Sequence, residues 1–118
     1  VYAVSTQSDR MGYRLKGLPL SHQSGADLTS QGMVLGEIQV PGDGQPIVMM
    51  PDHPTTGGYA CIATVAKADL PLLAQVEAGR GFVRFKPITL DEARSAWIEM
   101  NEKISSAITF EEDAWFGL

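Results

Sequence analysis

Asp52 and His53 stand between two prolines, Pro51 and Pro54, and Thr55-Thr56-Gly57-Gly58 follows at once. Proline fixes φ, so the loop carrying the carboxylate is stiff. A carboxylate on a stiff loop can orient a substrate amide or serve as a general base. The same side chain can instead cap its own turn, accepting from the N–H groups of Thr55 or Thr56. The Thr-Thr-Gly-Gly run reads as a turn, and its hydroxyls and unhindered N–H groups can form an anion-binding nest. Upstream, Asp9-Arg10-Met11-Gly12-Tyr13-Arg14 sets opposite charges side by side. Arg10 can grip a carboxylate bidentately, whether from a substrate or from the protein itself. Gln39 and Gln45 lie close to strand ends and can face the same concavity. The candidate site is thus Asp52 as the catalytic carboxylate, with Arg10, Gln45, Thr55, Thr56, Gly57 and Gly58 as substrate-binding groups.

Other chemistry finds little footing. The chain has no GxGxxG, P-loop, HExxH or GxSxG. His22 and His53 are far apart and lack a cysteine ligand pattern around them, so no metal is expected. Cys61 is the single cysteine; it excludes an internal disulfide and suits a reducing cytoplasm. Flanked by Ala60 and Ile62, it reads as an inert core thiol. A formal net charge of −5 with no basic cluster repels phosphate backbones, which argues against nucleic-acid binding. No apolar run approaches the ~20 residues of a membrane helix.

The elements that must position these residues are mostly short strands. At 118 residues with 12 Gly and 7 Pro, the chain reads as one turn-rich domain. Strands are expected at Tyr2–Ser5, Gly12–Leu18, Met33–Val40, Ile47–Met50 and Phe82–Pro87, with Tyr59–Ala66 as a buried central strand. Ser21–Gln31 reads as a surface loop and Gly79–Gly81 as a turn. Asp69-Leu70-Pro71 opens a short helix, since Asp caps well and Pro is tolerated in a first turn; it should span about 69–76. Thr89 with Glu92 forms a capping box for a long helix over 90–107. Its apolar stripe of Leu90, Ala93, Trp97, Met100, Ile104 and Ala107 must cover apolar surface, most simply on the sheet. Glu111-Glu112-Asp113 reads as a solvated turn, with Trp115 and Phe116 beyond it. Many short strands with Gly/Pro turns indicate a mainly β fold, a closed or half-closed barrel with two helices. The start at Val1-Tyr2-Ala3-Val4, without an initiator Met and already strand-like, is expected of a fragment of a longer polypeptide.

Three blocks, SDRMGYRLKG (8–17), the long GEIQVPGDGQPIVMMPDHPTTGGY stretch from 36 to about 75, and GRGFVRFKPITLDEA (79–93), match in order, spacing and residue type. On them the chain resembles the KipA family, whose members are also called PxpC, the C subunit of 5-oxoprolinase, or allophanate hydrolase subunit 2-like proteins. The resemblance runs to about Ala93 and is weaker in the helix and tail after it. It implies a cyclophilin-like β-barrel and the C-terminal half of a protein built from two related halves. Family members resemble one component of an ATP-dependent 5-oxoprolinase, which opens a lactam to glutamate beside KipI-like and LamB/YcsF-like partner subunits. A related domain in urea amidolyase transfers a carboxyl group from carboxybiotin to urea. There the acidic residue just before Pro-x-x-Gly-Gly lies at the substrate site, and Asp52 matches it. Ala60-Cys61 departs from relatives, which often carry other small residues such as Pro after the Gly-Gly-aromatic turn.

The resemblance therefore implies a cytoplasmic hydrolase subunit whose isolated fragment is inactive, with ATP used by the complex, no metal, and no biotin carried on this chain. Its partners would be the KipI-like and LamB/YcsF-like proteins and its own missing half, with no nucleic acid and no membrane. Strand edges left open by that missing half would also let a second copy pair, giving a homodimer. Two other readings stand beside it: a non-catalytic module that antagonises a KipI-type kinase inhibitor by contact, and a carboxyltransferase-type domain acting on urea-like amides. A prolyl isomerase rests on fold analogy alone.

Overall fold

The computed structural model describes residues 1–108, and the chain divides into two compact units, Val1–Pro87 and a second beginning at Ile88. The first unit carries seven strands: β1 (Tyr2–Val4), β2 (Gly12–Lys16), β3 (Asp27–Gly32), β4 (Glu37–Val40), β5 (Ile47–Met49), β6 (Thr56–Thr64) and β7 (Phe82–Val83). They form one sheet in the order β3-β6-β4-β5-β2-β1-β7. Every pairing is antiparallel. The end strands β3 and β7 are not paired with each other, so the mainly β barrel is half-open rather than closed.

The core follows from strand alternation. Val4, Leu15, Ile38, Val48 and Met50 pack together from the central part of the sheet, and Leu73 joins them from helix α1 (Leu70–Ala74). Val48 is fully buried. Burial of one such side chain stabilises by about 1.5–3 kcal/mol. The Tyr13 hydroxyl donates to the Ala74 carbonyl at 3.0 Å, tying β2 to α1 by a second contact. Pro71 sits in the first turn of α1 as expected, but Asp69 makes no side-chain cap bond. A 3-10 turn, Lys67–Asp69, leads in instead, and the Asp69 N–H donates to the Ala66 carbonyl.

Four strand expectations change. The strand expected over Met33–Val40 is β4, which starts only at Glu37, after Gly36 turns the chain with φ 84°. The polar stretch read as a loop contains β3, all of whose residues are exposed, so no apolar alternation marks it. The expected buried strand at Tyr59–Ala66 begins earlier, at Thr56, and is largely exposed; it lies next to the edge strand β3. An antiparallel sheet can leave one face in water, and the Ile, Val and Ala content of β6 does not reveal that. Phe82–Pro87 contributes only the two residues of β7.

The second unit, described by itself, contains helix α2 (Leu90–Ala107), with the span expected. The Thr89 hydroxyl oxygen accepts the Glu92 N–H at 3.1 Å, an N-cap that satisfies one orphan donor. No described helix is long and apolar enough to cross a membrane. The acidic turn expected at 111–113 and the aromatics Trp115 and Phe116 lie outside the described residues.

Candidate functional site

Two sequence-predicted residues come together at one corner. Arg10 Nε lies 2.9 Å from Asp52 Oδ2. The corner is built by local backbone chemistry. Asp9 Oδ1 accepts the N–H groups of Met11 (2.9 Å) and Gly12 (3.2 Å), which folds the SDRMG turn. The Asp52 N–H then donates to the Arg10 carbonyl at 2.9 Å, and the Met50 N–H to the Met11 carbonyl at 3.2 Å. Asp52 thus pairs across to Arg10. The Arg10 side chain is 87% exposed and that of Asp52 49% exposed, so both remain open to a ligand.

The other predicted residues are placed differently. Gln45 is engaged: its Oε1 accepts the Gly17 N–H at 2.9 Å and its Nε2 donates to the Gly17 carbonyl at 3.1 Å. It clamps the end of β2. Thr56, Gly57 and Gly58 are strand residues of β6, with Gly57 opposite Gln31 and Thr56 opposite Gly32. The turn and nest expected there do not form. Neither glycine has positive φ. Their value is close approach: a Cβ on Gly57 would lie 2.7 Å from Met33 Sδ, and one on Gly58 2.9 Å from the Leu28 carbonyl oxygen. Thr55 is exposed, and its carbonyl accepts the Met33 N–H at 3.1 Å.

A second feature brings together polar groups that the motif reading did not combine. A pocket of about 140 Å³ lies among β3, β4 and β6, walled by Leu28, Glu37, Gln39, Gly57, Tyr59 and Cys61. Of the candidate residues named from sequence, Gly57 and Gln39 reach it, and Gln45, expected in the same concavity as Gln39, does not. Glu37 and Gln39 stand two apart on β4, hence on one face, and are only 8% and 3% exposed. Gln39 Nε2 donates to Glu37 Oε1 at 3.2 Å, and the Val34 N–H donates to Glu37 Oε2 at 3.1 Å. Burial by itself would raise the Glu37 pKa. Hydrogen bonds from Val34, Gln39 and Cys61 and the charge of His53 outweigh it, and the carboxyl titrates below its usual range. Burial first, and then the neighbouring Glu37, push the Cys61 thiol up.

Register explains why Cys61 is here. Ile38 pairs with Ala63 but Gln39 pairs with Cys61, so Ile62 is an extra residue, a β-bulge. The bulge reverses the phase of β6 and sets Gly57, Tyr59 and Cys61 on the Gln39 face. Cys61 is therefore exposed rather than the core thiol expected from its neighbours. The signal for Glu37 was in the sequence: Glu37-Ile38-Gln39-Val40 alternates polar and apolar.

Residues 1–87 match the family described as carboxyltransferase domain, subdomain A and B. The chain is 45% identical over 95 residues to the C subunit of 5-oxoprolinase from Escherichia coli K12, covering 80% of this chain and 30% of that protein. Against its Haemophilus influenzae counterpart, the C subunit of 5-oxoprolinase there, it is 44% identical over 92 residues, 78% of this chain and 29% of the relative. The chain thus spans less than a third of the length of either. Among solved structures, the Kluyveromyces lactis urea carboxylase superposes with a TM-score of 0.80 at 25% identity, over 95% of this chain and 11% of that one.

Proposed function

This chain belongs to the carboxyltransferase domain family, subdomain A and B, and from that membership we propose that it is part of a PxpC-type component of 5-oxoprolinase. It would act with KipI-like and LamB/YcsF-like partners to open a lactam amide at the expense of ATP. The similarity to the two bacterial proteins over most of the chain carries this reading. In it, Arg10 offers the open side of its guanidinium to the carboxylate of 5-oxoproline. Asp52 accepts from the lactam N–H or orients the attacking water, and the exposed Thr55 and Thr56 line the approach. Arg10 and Asp52 are held 2.9 Å apart by pinned loops, so they are preorganised for one substrate. ATP falls to the partners in this reading, since the sequence has no P-loop.

The test is reconstitution of the full-length protein with both partners, measuring 5-oxoproline-dependent ATP hydrolysis. Arg10→Ala and Asp52→Asn should each lower it about a hundredfold, the usual scale of a positioned acid–base group. An unchanged Asp52→Asn rate would remove Asp52 from the chemistry, and a wild-type assembly inert to 5-oxoproline would overturn the reading. The likeness to urea carboxylase favours a second one, carboxyl transfer to a urea-like amide; urea-dependent consumption of carboxybiotin by the full-length protein would separate the two. The open strand edges favour a third, a contact module for a KipI-type protein. Failure of the full-length protein to co-elute with a KipI-like partner would count against it.

A further inference from the structure

Arg10 and Asp52 both stand outside the strands, one before β2 and the other after β5. One side chain fixes the placement of both. Asp9 is exposed, and none of the ion pairs among the described residues includes it. Its carboxylate acts on backbone instead. Oδ1 accepts the Met11 N–H at 2.9 Å and the Gly12 N–H at 3.2 Å, while the Asp9 N–H donates to the Gly12 carbonyl at 3.1 Å. These bonds close the turn 9–12 around Arg10 and Met11. The carbonyls of those two residues are then the acceptors for the segment that carries Asp52. The Asp52 N–H donates to the Arg10 carbonyl at 2.9 Å, and the Met50 N–H to the Met11 carbonyl at 3.2 Å. Gly12 enters β2 opposite Met49. The Asp52 segment is therefore docked rung by rung on a turn whose shape Asp9 sets. Ser8 anchors the same loop by separate bonds: its Oγ accepts the Arg14 N–H at 3.0 Å and donates to the Arg14 carbonyl at 3.3 Å.

We propose that Asp9 is a positioning residue, which sets Arg10 and Asp52 relative to one another through backbone N–H groups rather than by contact with substrate. It aims Arg10 through the turn itself and Asp52 through the Arg10 carbonyl. The oxygen matters here, not the charge. An amide oxygen at the same place can take both N–H groups, a hydroxyl does so more weakly, and a methyl group not at all. The geometry thus orders the side chains Asp, Asn, Ser, Ala. A through-space effect of the Asp9 charge on Arg10 would instead make Asn as damaging as Ala. The kinetic consequence rests on the lactam-opening reading above; the placement of Arg10 and Asp52 does not.

The test makes Asp9→Asn, Asp9→Ser and Asp9→Ala in the full-length protein and reads each in two ways. Assembled with both partners, Asp9→Ala should raise the KM for 5-oxoproline and lower kcat/KM by about ten- to a hundredfold, the scale of a small misplacement. The KM for ATP should not move. Asp9→Asn should recover most of the loss and Asp9→Ser part of it. A merely structural role would lower the active fraction, and so kcat, while leaving both KM values alone. In the unassembled full-length protein, amide hydrogen exchange is followed by NMR. Asp9→Ala should speed the Met11, Gly12 and Asp52 N–H groups about fivefold, the scale of one net hydrogen bond, and Asp9→Asn should not. Ser8→Ala, which cuts only the Arg14 anchor, should speed Arg14 and spare Asp52. The proposal fails if Asn is as damaging as Ala, if Asp52 exchange in Asp9→Ala equals wild type, or if kcat falls with the KM for 5-oxoproline unchanged. A wild-type assembly inert to 5-oxoproline would overturn the lactam reading, and exchange would still decide what Asp9 holds. Unaltered Asp52 exchange beside an active wild-type assembly would remove Asp9 and leave the Arg10–Asp52 reading intact. Should Asp9→Ala fail to fold, Asp9→Ser against Asp9→Asn supplies the same comparison.

Discussion

Glu37 on β4 and Asp52 in the segment after β5 are both carboxylates, and their surroundings give them opposite characters. Asp52 is half exposed and paired to a still more exposed arginine. Such pairs contribute about 0–1 kcal/mol, so Arg10→Ala should leave the urea-unfolding midpoint almost unmoved. A large loss of turnover in that variant would then report substrate contact, not folding. Glu37 is buried and its carboxyl is held below the ordinary 4.5. Its native-state pKa lies below the unfolded one, so the stability it contributes is fully present above pH 4.5 and is lost as pH falls through the lower native value. Urea unfolding across that acid range should show the decline, and Glu37→Gln should flatten it while costing about 1–3 kcal/mol at neutral pH. The Cys61 thiol, pushed up by burial and by Glu37, should alkylate more slowly than free cysteine at neutral pH, and faster once Glu37 is neutral.

At the scale of elements, the glycines of β6 separate two kinds of crowding. A Cβ on Gly58 would press on the backbone oxygen of Leu28, which cannot step aside without unpairing β3. A Cβ on Gly57 would press first on the flexible end of Met33. Gly58→Ala should therefore be the more destabilising, by about 1–3 kcal/mol, and hydrogen exchange should quicken at the β3 amides in it and much less in Gly57→Ala. Much of this level was legible in the sequence. Proline and glycine punctuation located β2 and β5, and Thr89 with Glu92 located α2 at its observed bounds, whereas the strand expected from Met33 starts only after the positive-φ Gly36. What stayed hidden has physical causes. The edge strand β3 is wet on both faces, so it carries no apolar period. Gly57 and Gly58 serve close packing in extended backbone, a use that looks in sequence like a turn. Gln45 and Asp52 are both visible as polar groups at corners, but their partners, Gly17 and Arg10, are tens of residues away and are set by strand pairing, not by local sequence.

For the first unit as a whole, the half-open sheet is the governing fact. Strands β3 and β7 end it without closing it, and exposed edges template pairing with other chains. Leu28 on β3 is 52% exposed. The isolated chain should therefore self-associate with rising concentration in sedimentation velocity, and Leu28→Lys should shift it toward monomer; a wild-type chain monomeric throughout would show that the edge is already protected. Ile62 also matters at this level. As the unpaired extra residue of β6, it uncouples the strand's two ends. Cys61 and Ala60 pair with Gln39 and Val40 on one side of it, and Ala63 and Thr64 with Ile38 and Glu37 on the other. Smoothing the bulge away, so that Gln39 paired with Ile62 instead of Cys61, would put both ends in one phase and turn Gly57, Tyr59 and Cys61 to the opposite face of β6, emptying the pocket of that wall.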